Sequence, residues 1–518
     1  MSMNRTGRPT RAEAGQAVME TLTGARALSR EEPLLFEIGD TDRTGVDIED
    51  PPVTETALGG LERSAPMHLA GLSEPEAVRH FTRLSQKNYG IDTGLFPLGS
   101  CTMKHNPRLN EKVARLPGFS DIHPLQPVST VQGALALIDQ LAHWLTELTG
   151  MPAVALSPKA GAHGELCGMM AIRAALEARG DARRVVLVPE SAHGTNPATA
   201  VFCGYEVKTL KATANGRVDV AALKQALGPD VAAIMVTNPN TCGLFEWHIK
   251  EFADAVHDAG AFFYCDGANF NALIGKVRPG DLGVDAMHIN LHKTCSTPHG
   301  GGGPGSGPVV LSEALAPFAP RPWVVKTADG FALKEAAEDG DTSFGRLCAF
   351  HGQMGMFVRA MSYMMSHGAD GLRQVAEDAV LNTNYLAAGL DEVMTRAFKP
   401  RPMHELLYDD RFLKGTGVTT LDFAKAMIDE GYHPMTMYFP LVVSGAMLIE
   451  PTETESKQSL DAFIAALRAL AQAARDGDTE RFSGAPYHSP LRRLDETRAA
   501  RQPILKWTPP AEHKEAAE

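Results

Sequence analysis

The chain has 518 residues, 44% hydrophobic and 21% charged, with a formal net charge of −13 at pH 7. This suits two or three domains with a large buried core and excludes wholesale disorder, a fibrous protein and a small stapled scaffold. The negative balance argues against a general binder of nucleic acid or of acidic membranes, because both need a positive field. Seven cysteines, at 101, 167, 203, 242, 265, 295 and 348, contain no CxxC pair. They read as reduced thiols, and no metal site is expected. The longest apolar run, Val231–Val236, falls far short of the roughly 20 residues of a membrane span. The N-terminus carries no signal-peptide core, so the chain reads as a cytoplasmic protein.

In chain order, residues 1–110 read as an N-terminal extension or arm. The stretch to about residue 60 is polar, closes on the acidic DIEDPP and shows a helical pattern only around Ala12–Ala27. Residues 111–345 read as a large domain. Its first helix begins near 131, with Ala134, Ile138, Leu141, Leu145 and Leu148 on one face and a stop at Gly150 and Pro152. Short apolar strands follow at 184–188, 204–210, 231–236, 261–265, 285–289 and 308–311, separated by helices at 165–178, 219–227 and 247–258. Alternation of helices with strands apolar throughout predicts an α/β fold around a mostly parallel sheet covered on both faces. Residues 346–475 read as a small C-terminal α+β domain, with helices at 350–367, 374–396 and 456–474 and a strand-like segment at 440–451. Residues 476–518 read as a surface tail.

Ligands of such sheets sit beyond the carboxyl ends of the strands, and four places there carry chemistry. The small-residue loop Ala160–Gly164 opens directly into a helix at Glu165, where free N–H groups suit a phosphate. His193 follows a buried strand in PESAHGTNPA, and an imidazole there can stack on a ring or move a proton. Asp266 ends the strand FFYCD beside Gly267 and Ala268, where a carboxylate is costly unless a cation or strong donor faces it. Lys293, between His292 and Thr294, follows a strand and precedes a glycine run, and a desolvated lysine is a Schiff-base nucleophile. Singly these also read as a capped turn, a structural histidine, a helix N-cap and a linker. Together they are what pyridoxal 5'-phosphate needs: a phosphate cradle, a stacking ring, an acid for the pyridine nitrogen and a covalent lysine.

The segments FPLGSCTMKHNPRLNE (96–111), SPKAGAHGELCG (157–168), PESAHGTNPA (189–198), YCDGANFNALIG (264–275), NLHKTCSTPHGGGGPGSGPV (290–309) and IEPTETESK (449–457) resemble the pyridoxal-phosphate-dependent glycine decarboxylase family, the P-proteins of the glycine cleavage system. The resemblance covers about residues 54–507 and is nearest to subunit 2 of the two-subunit form. It implies fold type I, the aspartate-aminotransferase-like architecture, with Lys293 as the lysine that bonds the cofactor, Asp266 on the ring nitrogen beside Ala268, and His193 stacked on the ring. Gly161, Ala162, His292 and Thr294 are implied near the cofactor. Also implied are glycine as substrate, release of CO2, transfer of the aminomethyl group to the lipoyl arm of H-protein, and a separate subunit 1 in an α2β2 assembly. Loss of CO2 demands a gripped substrate carboxylate, for which Ser100, Thr102, Lys104 and His105 are the candidates. Ser444 stands where most relatives carry a histidine. Competing readings are another fold-type-I amino-acid decarboxylase and a non-catalytic scaffold paralogue.

Overall fold

The computed structural model describes residues 32–506 apart from 40–42, 47, 50–57, 65–68, 301–304, 339 and 490. The helical pattern read around Ala12–Ala27, most of DIEDPP and the centre of the glycine run lie outside the described residues. The described chain forms two compact units, one of residues up to 90 with those from 484 onward, the other of residues 91–483. In the first, the helix Glu74–Ser85 starts in a capping box, with the N–H and hydroxyl of Ser73 donating to Glu76 Oε2 at 2.9 and 2.7 Å. Glu32 accepts from His80 and Arg83 of that helix.

The second unit is built on a seven-stranded sheet of β1 (Ala153–Ala155), β2 (Val185–Pro189), β3 (Glu206–Leu210), β4 (Val231–Thr237), β5 (Phe262–Asp266), β6 (Ala286–His288) and β7 (Val309–Leu311). Their spatial order is β1-β7-β6-β5-β4-β2-β3. Strands β2 to β6 are mutually parallel, and β7 runs antiparallel to both β6 and β1. Alternate residues feed opposite cores. Val185, Leu187, Ile234 and Phe263 share one buried cluster with residues of the helices α1 (Gln132–Thr149) and Ile249–Asp258, whereas Val186, Val188, Met235 and Tyr264 share another with residues of α2 (Gly161–Ala178). Burial on both faces is why these strands read as unbroken apolar runs. Helix α1 ends at Gly150, whose φ of 70° closes its last turn.

Three further helices position the site: α3 (Thr195–Phe202), the short α4 (Leu291–Thr294) and α5 (Met354–Leu390). The two helices read at 350–367 and 374–396 are present as the two stretches of α5, which meet at a kink at Gly368 where φ is 62° and ψ −177°. The segment 440–451 is strand only at Met447–Ile449: Pro440 has no N–H for a ladder and Gly445 turns the backbone at φ 59°. Ser444 lies exposed in that turn. Met447–Ile449 belongs to a small antiparallel sheet with Thr395–Arg396, Leu406–Asp409 and Thr436–Met437. A hairpin of Trp323–Thr327 and Gly330–Lys334 was not legible in the sequence. Among the described residues no helix is long and apolar enough to cross a membrane.

Candidate active site at the strand ends

Strand β5 delivers Asp266 to the carboxyl edge of the sheet, 3% exposed. Its Oδ2 accepts from Asn196 Nδ2 at 3.0 Å and its Oδ1 from the N–H of Ala268 at 2.9 Å. His288, at the end of β6, places Nε2 3.3 Å from Oδ1 and has its Nδ1 2.7 Å from the Tyr264 hydroxyl. Nε2–H facing the carboxylate leaves Nδ1 to accept from the tyrosine. Burial alone would raise the Asp266 pKa, but His288, Asn196, the Ala268 amide and Lys293 together hold it below the ordinary value. The site therefore keeps an ionised carboxylate at a dry strand end. Asn196 stands on α3, which the PESAHGTNPA segment starts.

His193 lies open to solvent beside this group, with Nδ1 2.9 Å from Thr195 Oγ1 and its ring edge-on to Phe439 at 5.6 Å between centroids. The Thr195 hydroxyl in turn lies 2.7 Å from Oε1 of the buried Glu165. Desolvation, opposed by Asp266, keeps the His193 pKa low, so the ring is neutral at neutral pH.

The start of α2 forms an anion cradle. Its N-cap, Ala160, has no side chain able to cap, so the first N–H groups are left for another acceptor. A Cβ on Gly161 would fall 2.6 Å from Asn290 Nδ2 and 3.2 Å from His288 Nε2, and one on Gly307 would strike the Ala160 carbonyl at 2.1 Å. Glycine is thus required where the loop, α2 and the β6 end converge. Ala162 follows Gly161 at the mouth of the cradle. Asn290 Oδ1, Thr294 Oγ1 and Ser306 Oγ are buried without a partner among the described residues. His292 packs 3.2 Å from Asn290 Nδ2 and takes the Ser306 N–H on Nδ1; burial pushes its pKa down to about 3, so it is a neutral acceptor. Unfilled buried hydroxyls on Thr294 and Ser306, a glycine-lined helix start and an ionised carboxylate fit a phosphorylated pyridine aldehyde.

Lys293, on α4, is 9% exposed and donates from Nζ to the Ser100 carbonyl at 2.9 Å. Ser100, at φ 65°, gives its N–H to Glu405, and Thr102 gives its hydroxyl to Glu450 at 2.5 Å. Lys104 turns away into the wall, where Nζ meets Glu453 Oε1 at 2.7 Å, Asn271 Oδ1 at 2.8 Å, the Thr294 carbonyl at 2.9 Å and the Tyr363 hydroxyl at 3.2 Å. With three protons and four oxygens around it, that ammonium group has no donor left over. The His105 ring is half-exposed, 3.7 Å from Asp92, and its carbonyl accepts from Ser296. Cys295 is buried, its thiol pushed up to about 12 by desolvation.

Asp266, Ala268 and His193 thus gather around one strand end, Gly161, Ala162 and His292 around the adjoining cradle, and Lys293 with Ser100 and Thr102 at its border. Lys104 and His105 lie behind that border. Sequence reasoning missed Glu165, Asn196, Tyr264, His288, Glu405, Glu450 and Glu453. Only Tyr264 and His288 left a signal, as polar-tipped residues near the ends of buried strands.

Comparison with known proteins gives the following. A model described as glycine dehydrogenase, C-terminal domain, matches residues 375–487, and one described as aminotransferase class-V matches residues 166–304. The chain is 70% identical over 526 residues to the probable glycine dehydrogenase (decarboxylating) subunit 2 of Caulobacter vibrioides, covering 100% of both chains. It is 50% identical over 481 residues to the protein of the same name from Listeria monocytogenes serotype 4a, covering 92% of this chain and 98% of that one. Its fold is similar to a crystal structure of glycine decarboxylase (P-protein) of the glycine cleavage system, in inhibitor-bound form, with TM-score 0.68 and 23% identity over 80% of this chain and 93% of that one.

Proposed function

The chain belongs to the family of glycine dehydrogenase (decarboxylating) subunit 2, and from that premise we propose that it decarboxylates glycine with pyridoxal 5'-phosphate in the glycine cleavage system, releasing CO2 and passing the aminomethyl group to the lipoyl arm of H-protein. Its fold is fold type I of the pyridoxal-phosphate enzymes. It is one subunit of a two-subunit enzyme and therefore works with a subunit 1; in our reading the assembly is α2β2 and cytoplasmic. The observation that carries the proposal is the survival of both Lys293 and Asp266 in one strand-end site of a chain similar over its whole length to such subunits.

When bound, the protonated pyridine ring is the electron sink for the pair left behind as CO2 departs. In this reading, the N–H groups at the start of α2, with Asn290, Thr294 and Ser306, bind the phosphate. Asp266, kept ionised by Asn196, the Ala268 amide and His288, holds a proton at the ring nitrogen. His193 covers one face of the ring and excludes water from it, supported by Thr195 and by Phe439. Lys293 would hold the cofactor through Nζ and would be the residue that the glycine amine displaces. Of the 100–105 segment, Ser100 is the residue left to meet the substrate carboxylate, because Thr102 and Lys104 donate into the wall.

Loading the purified chain with pyridoxal 5'-phosphate and reducing with borohydride tests the assignment. The cofactor mass is expected on the peptide containing Lys293 and nowhere in Lys293→Ala. A fully loaded Lys293→Ala carrying the same covalent mass would contradict it.

A further inference from the structure

Behind the Lys293 border lies a buried group that the mechanism above does not use. Glu405 and Glu450, 0% and 1% exposed, bring one carboxyl oxygen each, and His404 a ring nitrogen, within 4.8 Å of one another. Glu405 Oε1 accepts from the Ser100 N–H, and Glu450 Oε1 from the Thr102 hydroxyl. Glu405 Oε2 and Glu450 Oε2 are buried with no hydrogen-bond partner among the described residues, and the two carboxyls lie against each other. Two carboxylates this close and this dry cannot both be ionised, so the pair keeps a proton that the two side chains share.

The strand Met447–Ile449 and the adjoining Glu450 also fasten the same segment by their backbone. Gly99 N–H donates to the Leu448 carbonyl at 3.2 Å and Glu450 N–H to the Pro97 carbonyl at 3.3 Å. A Cβ on Gly99 would meet Leu448 Cγ at 2.3 Å, so the approach is as close as glycine permits. In the segment held in this way, the Ser100 carbonyl takes the Lys293 ammonium group.

We propose that Glu405 and Glu450 are a positioning pair: sharing one proton, they lock residues 97–102 so that the Ser100 carbonyl holds the Lys293 amino group whenever it is not joined to the cofactor. The proposal rests on the reading of Lys293 as the cofactor lysine. The charged and titratable groups felt by the pair are Lys293, Glu453, Cys101 and Cys242, with His404 alongside; burial keeps His404 neutral, so it adds no charge. Burial pushes Glu405 well above the carboxylate range and Glu450 up to about 7. Glu450 gives up its own proton near 7 and one proton stays shared by the pair; only loss of that last proton, at higher pH, leaves two facing carboxylates and loosens the segment.

The test uses the purified full chain as wild type, Glu405→Gln, Glu450→Gln and Glu450→Ala. Two quantities are read: amide hydrogen exchange of residues 97–104 without cofactor, and the pH profile of Lys293 coupling to added pyridoxal 5'-phosphate, followed by borohydride trapping. In Glu450→Ala the exchange of the Ser100 amide is expected to rise at least about tenfold, and the coupling midpoint to move by about half a pH unit or more. The glutamine variants keep a donor between the two side chains at every pH. They are expected to exchange within about twofold of wild type at neutral pH while losing the wild-type rise in exchange, beyond that of a free amide, on the alkaline side of neutrality. Wild-type exchange and midpoint in Glu450→Ala would overturn the proposal. Should that variant fail to fold, that alkaline rise retained in both glutamine variants overturns it instead. Coupling that persists in Lys293→Ala would strike the reading of Lys293 and not the pair.

Discussion

Asp266 is ionised where an isolated carboxylate would not be, and that charge depends on the amide of Asn196 and the ring of His288 as much as on the aspartate itself. Asp266→Asn is expected to bind the cofactor but to lower the glycine–CO2 exchange rate by about a hundredfold or more, because the ring nitrogen loses its proton partner. Exchange kinetics beside the cofactor absorbance separate that outcome from simple loss of binding. Lys104 behaves differently. Burial penalises its charge, but Glu453 outweighs the penalty and raises its pKa. Lys104→Met strands Glu453 in the wall and is expected to cost about 3–5 kcal/mol of stability in denaturant melts. Asp266 and Lys293 were legible because a charged side chain at the end of an apolar strand needs a reason. Asn196 was not, since an amide two residues into a helix start reads as local capping and its partner lies 70 residues away.

At the scale of elements, the site depends on three convergences: the α2 start on the β6 end, α3 on β5, and the 97–102 segment on the strand Met447–Ile449. Gly161→Val would drive side-chain atoms into Asn290 and His288 and is expected to abolish cofactor binding, read by absorbance, while leaving the far-ultraviolet circular dichroism of the sheet and helices in place. The strands β2, β4 and β5 were readable because each is buried on both faces, whereas the edge strand β3 is largely exposed. The small sheet was not, because Thr395–Arg396 and Thr436–Met437 are two residues each and no periodicity shows over two residues. The two stretches of α5 were legible as two helices, because the periodicity breaks at Gly368, the kink between them. Gly368→Ala is expected to lower stability by about 1–3 kcal/mol, since φ 62° with ψ −177° is open only to glycine.

Over the whole molecule, buried carboxyls set how stability responds to pH. Glu246, 1% exposed, is pushed up to about 7 by burial, against hydrogen bonds from Asn240 and the Val218 amide. Its folded-state pKa lies above the unfolded value of 4.5, so the protonated form favours the folded chain and its contribution is lost as pH rises through about 7. Wild type is therefore expected to lose about 3 kcal/mol relative to Glu246→Gln between pH 5 and pH 8 in urea melts, the order of a shift of two to three pKa units. The assembly is the other property at this scale. The fold class and cofactor chemistry follow from strand-end residues of this chain, but a subunit leaves no local pattern that names its partner. The central claim is tested most directly by exchange of labelled bicarbonate carbon into glycine by the purified chain loaded with pyridoxal 5'-phosphate, together with subunit 1 and lipoylated H-protein. The account predicts exchange with wild type that disappears in Lys293→Ala and when subunit 1 is left out. No exchange by the fully loaded wild-type assembly, or undiminished exchange in Lys293→Ala, would contradict it.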